Sequence, residues 1–199
     1  MKIVLTGCSG SGKTAIINGL IEKMTQGTLP FTLPHVLYSQ TQDVYNRFGV
    51  YTEKQALSLP QDQLKEIQFE LFNERVQQEE IYTDFISDRS ILDYFIWTLI
   101  RCNGVLTEAD VKFLTNKTNY CMEKYDISFI IESNPKFNTI EDAYKLRSPG
   151  QECLYWHAHC NFLQLHPCNS IFVSHCTLKE RVQMVRTIIL CTLINKEKC

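Results

Sequence analysis

Five apolar runs of strand length punctuate the chain, and segments with helical spacing fill the intervals. The first run is Ile3-Val4-Leu5, followed by a helix predicted over residues 13 to about 24. His35-Val36-Leu37-Tyr38-Ser39 forms the second strand, entered through the breakers Pro30 and Pro34. A short helix over 52–58 comes next. Pro60-Gln61-Asp62 then opens a longer one, in which Leu64, Ile67, Leu71, Phe72 and Val76 recur at helical spacing. Phe85-Ile86-Ser87 is the third strand, ending at Asp88. A helix over 90 to about 102 stops at Asn103-Gly104, and Thr107 with Asp110 three residues on caps another. Residues 126–132 carry Ile127, Phe129, Ile130 and Ile131 as the fourth strand, and 133–147 read as irregular. A helix over 148–166, the strand Ser170-Ile171-Phe172-Val173 and a closing helix with Leu178, Val182, Val185 and Ile189 on one face complete the pattern.

Short buried strands separated by helices imply an α/β fold, a parallel sheet covered on both faces. In such sheets ligands gather beyond the carboxyl ends of the strands. The segments after the first, third, fourth and fifth strands, with Asp88, Glu132 and His175 at three of them, therefore share one edge. With 199 residues the chain fits a single domain over 1–199 and buries about 70% of its unfolded surface.

The segment after the first strand reads Gly7-Cys8-Ser9-Gly10-Ser11-Gly12-Lys13-Thr14, a complete G-x-x-x-x-G-K-[ST] loop between a strand and a helix. Glycines let successive backbone N–H groups close around a phosphate, and the positive end of the following helix points at the same place. Lys13 would reach the β/γ-phosphates and the Thr14 hydroxyl would join the shell of a Mg²⁺ ion. A second signal is Asp88-Arg89-Ser90. An acid just past a buried strand is suited to a magnesium shell or a base, and the neighbouring Arg can grip a phosphate or hydroxyl with paired donors. Asp88 and Ser90 can cap the next helix at the same time.

A formal net charge of −2 supplies no field that draws the chain to nucleic acid or a membrane. The longest apolar stretch, 91–100, contains Asp93 and is far too short to span a bilayer. Nine cysteines, without a C-x-x-C pair or a visible signal peptide, fit reduced thiols in the cytoplasm. His157, His159, Cys160, His166, Cys168, His175 and Cys176 follow no standard zinc spacing, so packed thiols and surface imidazoles account for them better. Asn116-Lys117-Thr118-Asn119 lacks the Asp of a guanine-reading signature and falls on a helix, so guanine specificity is unsupported; the donor reading leans to ATP, with GTP left open. Tyr45, Phe48, Tyr51, Phe69 and Phe72 fit core filling better than base stacking.

These features resemble the nucleoside/nucleotide-kinase branch of P-loop proteins, and specifically the AAA_28-type group, which includes ribosylnicotinamide-kinase-like domains and phage-encoded ATP-binding proteins. The resemblance runs through the phosphate loop, Tyr45-Asn46-Arg47-Phe48-Gly49, the helix over 61–78, Asp88-Arg89-Ser90-Ile91-Leu92-Asp93, Tyr125-Asp126, residues 141–147 and Leu178-Lys179-Glu180-Arg181-Val182. It implies a three-layer P-loop kinase fold with a five-stranded parallel sheet. Asp88 would then act near Mg²⁺ or polarise the acceptor, and Arg89 would hold the acceptor's phosphate or 5′-oxygen. Lys145 and Arg147 would belong to a lid over 133–150 that closes on the triphosphate. The Thr177-Leu178-Lys179 turn would lie beside the donor base.

One stretch departs from the family pattern. Where such kinases often carry Glu or Arg just after the second strand, this chain has Gln40-Thr41-Gln42-Asp43, with Arg47 following. Asp43 would replace the acid and Arg47 the cation. The acceptor thus stays open among nucleosides, nucleotides and nucleoside-like molecules, as does the oligomeric state. Two other readings remain: a nucleotide-binding regulatory module without an acceptor, and a kinase of nucleic-acid ends or modified bases, which the acidic balance disfavours.

Overall fold

In a computed structural model of the chain, the residues described are 1–132, 149–166, 168–174 and 177–196. Five strands form one all-parallel sheet: β1 (Lys2–Thr6), β2 (His35–Leu37), β3 (Phe85–Ser87), β4 (Ile127–Ile131) and β5 (Ser170–Val173), in the order β2-β3-β1-β4-β5. Val4 of the central strand is level with Ser87 of β3 and Ser128 of β4, which fixes the register on both sides. A parallel sheet with helices on both faces buries both sides of its strands. This explains why β1, β3 and β4 read as mainly apolar runs, with Ser87 and Ser128 buried among them, rather than alternating ones.

Alternate residues serve the two faces. Ile3, Leu5, Ile86, Ile127, Phe129, Ile131 and Val173 point to one side. They form a core there with Ile16, Ile17 and Leu20 of α1 (Lys13–Thr25) and Val182, Val185 and Ile189 of α8 (Leu178–Lys196). Leu178, expected on that apolar face, is exposed at the first turn. Val4, Leu37 and Phe85 serve the second side. There they meet α4 (Gln61–Ile81), α5 (Ile91–Cys102), α6 (Glu108–Met122) and α7 (Pro149–Leu165). The helix α5 lies between α4, α6 and α7, and its first eight residues, Ile91 to Thr98, are all buried.

Helix boundaries follow their caps. Ser90 and Asp93 make a reciprocal capping box at the start of α5, and Thr107 and Asp110 make the expected one on α6. Thr52 with Gln55 caps the short α3 (Glu53–Leu57) in the same way. The strand β2 stops at Leu37, earlier than the sequence predicted. The next segment turns into an additional helix, α2 (Thr41–Arg47), which packs on α4. Of the five aromatics read as core, Tyr45 and Phe72 are buried, and Phe48 and Phe69 pack against them partly covered. Tyr51 is 59% exposed, because it sits just ahead of the α3 cap. Residues 133–148, assigned by the sequence to an irregular stretch and a lid, lie outside the described residues, as does His175. Among the described residues no helix is long and apolar enough to cross a membrane.

Candidate active site

The sheet order places the phosphate loop at the centre of the edge where the strands end, with the Asp88-Arg89 segment beside it after β3. The loop leaves β1 at Gly7, whose φ is +142° and whose missing Cβ would stand 2.4 Å from the Ile131 carbonyl oxygen on β4. Only glycine lets the chain pass that close. Gly12, at φ 95°, turns the loop into α1, so the first N–H groups of that helix face the loop interior.

Two buried cations brace the loop. The Arg181 guanidinium, from α8, donates to the Ser11 carbonyl at 2.7 Å and the Glu132 carbonyl at 3.1 Å, tying the loop to the end of β4. Lys13 folds back on its own loop and donates to the carbonyls of Gly7 at 2.6 Å and Cys8 at 2.7 Å. Burial lowers the Lys13 ammonium to about 8, against the opposing pull of Asp93. Cys8 is also enclosed, and burial pushes its thiol up to about 12, which makes it a packing group rather than a nucleophile.

Thr14 Oγ1 donates to Asp88 Oδ2 at 2.8 Å, so the hydroxyl and the carboxylate named by the two motifs meet. Asp88 is buried, and its other oxygen, Oδ1, has no hydrogen-bond partner among the described residues. Two hard oxygen donors side by side, one with a lone-pair face unused, suit a small divalent cation such as Mg²⁺. Arg89 lies half-buried beside Asp88, and its guanidinium makes no hydrogen bond or ion pair among the described residues. Beneath them Arg75, fully buried, donates to Ser87 Oγ at 3.0 Å, the Tyr38 carbonyl at 3.2 Å and Tyr94 Oη at 3.3 Å. It thereby fixes the ends of β2 and β3 against α5.

Asp43 and Arg47 both lie exposed on α2. Arg47 is engaged by Glu74 and lies 3.7 Å from Glu70, both on α4. Lys145 and Arg147 are outside the described residues. Lys117, from the guanine-like decoy, pairs with Glu80 on the helical surface at 3.0 Å. Among the described residues no group of three or more His, Cys, Asp and Glu could hold a metal, and the seven cysteines there are free.

Sequence reading missed a polar network directly behind the loop. Asp93 is wholly buried, and its Oδ1 accepts from Thr6 Oγ1 at 3.0 Å, the Gly7 N–H at 3.1 Å and the Tyr155 hydroxyl. Its Oδ2 accepts from the Ser90 N–H at 2.8 Å. Thr6 Oγ1 in turn meets Ser90 Oγ at 3.0 Å and His159 Nε2 at 2.8 Å. Because Thr6 gives its single proton to the carboxylate, His159 must donate from Nε2. Its Nδ1 is then left buried and unpartnered, and burial lowers the imidazole to about 4. Burial alone would raise the Asp93 carboxyl, but Lys13, Arg89 and His159 with the Tyr155 hydrogen bond hold it below the ordinary carboxylate value. The spacing Ser90-x-x-Asp93 was the available signal, since a cap box on an otherwise apolar helix marks a carboxylate with buried partners.

The sequence profile of the AAA domain family, AAA_28, matches residues 2–181. None of the curated proteins matches the sequence significantly. Among solved structures, the chain is similar to deoxyadenosine kinase from M. mycoides with the products dCMP and a flexible dCDP bound. That likeness has a TM-score of 0.70 and 14% identity, over 96% of this chain and 99% of that one. The same enzyme with bound dCTP gives 0.69 and 14%, over 96% and 100%, and with bound dATP 0.62 and 13%, over 95% and 99%. At such identities the likeness establishes the shared P-loop kinase fold.

Proposed function

The chain belongs to the AAA_28 family of AAA domains, and from that premise we propose that it is a kinase transferring the γ-phosphoryl group of ATP to a nucleoside, nucleotide or nucleoside-like small acceptor. The observation that carries this reading is the Thr14–Asp88 contact, with Asp88 Oδ1 unpartnered among the described residues and the Arg89 guanidinium beside it. A loop that only bound and released nucleotide would still use Thr14 and Asp88 for Mg²⁺. What favours an acceptor is the Arg89 guanidinium beside them, a cation suited to gripping a phosphate or hydroxyl with paired donors. The fold shared with a deoxyadenosine kinase supports the same reading.

In this mechanism the loop N–H groups and Lys13 hold the phosphates in line, and Arg181 keeps the loop from opening. Thr14 and Asp88 would hold Mg²⁺, which when bound neutralises charge across the β- and γ-phosphates. Arg89 holds the acceptor's phosphate or 5′-oxygen, with Asp43 and Arg47 on α2 as weaker, outlying contacts, Arg47 being already engaged by Glu70 and Glu74. In the other role open to it, Asp88 would act as the base that takes the acceptor hydroxyl's proton as its oxygen attacks. Lys145 and Arg147, from the 133–150 segment, stabilise charge developing on the transferred group. Catalysis here is mostly positioning and electrostatics, as phosphoryl transfer requires. The seven cysteines among the described residues are free, which suits a reducing cytoplasm.

The test is ADP release with ATP–Mg²⁺ against nucleosides, mononucleotides, nicotinamide riboside and oligonucleotides, with Lys13→Ala as control. Acceptor-dependent turnover lost in Lys13→Ala is expected. Tight ATP binding with no acceptor stimulating turnover would point instead to a regulatory nucleotide-binding module, and activity on oligonucleotides alone to a nucleic-acid kinase.

A further inference from the structure

We infer that Asp93 is a positioning residue that locks the donor and acceptor halves of the site to each other, with Tyr155 holding it in place. The inference rests on the kinase reading above. One oxygen of this carboxylate takes the N–H of Gly7, where the phosphate loop begins, and the other takes the N–H of Ser90, immediately after Asp88-Arg89. The separation between the two motifs is therefore set by the width of a single side chain. The Tyr155 hydroxyl reaches the same Oδ1 from α7, and His159 of that helix reaches it through Thr6.

A purely structural cap does not require this arrangement. Ser or Thr at the third helical position would leave α5 capped by Ser90. Four donors converge on the carboxylate, Thr6, Gly7 and Tyr155 on Oδ1 and the Ser90 amide on Oδ2. The Ser90 hydroxyl gives its proton to Thr6, the nearer partner at 3.0 Å against 3.4 Å to Asp93. A buried negative charge directly behind a loop that receives a polyphosphate works against anion binding. That cost is consistent with a positional role, because no neutral side chain accepts from both backbone segments and the tyrosine together.

The experiment measures ATP–Mg²⁺ affinity by calorimetry, steady-state kinetics and melting temperature for the full chain and for Asp93→Asn, Asp93→Glu, Tyr155→Phe and the Asp93→Asn/Tyr155→Phe pair. Asn presents an N–H₂ to one of the donors, so ATP affinity is expected to fall about tenfold or more, with kcat falling as well because Asp88-Arg89 is displaced too. Tyr155→Phe removes one donor and keeps the ring's packing. A drop of about threefold to tenfold is expected there, with no further loss in the pair beyond Asp93→Asn alone. Asp93→Glu, which keeps the charge but lengthens the arm, is expected to recover part of the affinity. If Asp93→Asn does not fold, Tyr155→Phe carries the test. Variants that bind and turn over ATP like the parent while melting lower would overturn the inference and leave Asp93 a structural residue. A parent chain that binds no ATP would overturn the kinase reading itself, and this inference with it.

Discussion

The Thr14 hydroxyl donates to Asp88 Oδ2 across 2.8 Å, although 74 residues separate the two in the chain. Asp88→Asn keeps an oxygen for that hydroxyl and so keeps the fold, but removes the charge. Acceptor-dependent ADP formation is expected to fall about a hundredfold or more, with the melting temperature changed little. Full activity in this variant, measured in the acceptor assay, would remove Asp88 from the reaction.

Arg89 and Arg47 should separate cleanly as acceptor contacts. Arg89 interacts with Asp88 and Asp93 through charge alone, with no hydrogen bond or ion pair among the described residues, so Arg89→Ala is expected to raise the acceptor KM about tenfold to a hundredfold. Arg47 is already engaged by Glu70 and Glu74 at the surface, and Arg47→Ala should change the acceptor KM less than about threefold. Acceptor titrations at saturating ATP measure both.

Gly7→Ala would put a methyl group 2.4 Å from the Ile131 carbonyl oxygen at a φ that L-residues avoid. The expected loss is about 3 kcal/mol or more, read from urea denaturation. Loss of ATP binding should accompany it, because the loop cannot leave β1 along its present path.

Two buried groups give stability opposite pH dependences. Burial raises the Glu79 carboxyl from 4.5 to about 7, so its contribution is complete below 4.5 and lost as pH rises through 7. Burial lowers His159 from 6.5 to about 4, so its contribution is complete above 6.5 and lost as pH falls through 4. Across 4.5–6.5 the two slopes, each about 1.4 kcal/mol per pH unit, oppose one another. Glu79→Gln, which still accepts from the Tyr125 hydroxyl, should therefore unmask stability that climbs from pH 4 to 6.5. His159→Asn should unmask stability that declines from 4.5 to 7. Urea midpoints over pH 4–8 test both signs.

Most strands and helix ends were readable because each rests on local chemistry: apolar runs for β1, β3 and β4, and the box of Thr107 with Asp110 for α6. The boxes at Thr52 and Ser90 emerged only in the structure. The helix α2 was not readable, since Thr41-Gln42-Asp43 carries no apolar stripe and the helix owes its place to packing on α4. In the site, Lys13, Thr14 and Asp88 stood out because their motifs are contiguous. Arg181 meets Ser11 across 170 residues and Asp93 meets Thr6 across 87, and such pairings are fixed by the topology of the sheet rather than by any local pattern. Arg181 in particular reads in sequence as an ordinary charge on a terminal helix.

The back-folded Lys13 has a consequence for which ligands can enter. Its ammonium is already bound to the Gly7 and Cys8 carbonyls, so arrival of a phosphate is an exchange of partners. A singly anchored anion would have to displace both contacts with little to replace them. A polyphosphate, able to meet the loop amides as well as the ammonium, would offset the loss of those two carbonyl contacts. The folded-back lysine would thereby favour ligands that span the whole loop over those that meet its ammonium alone.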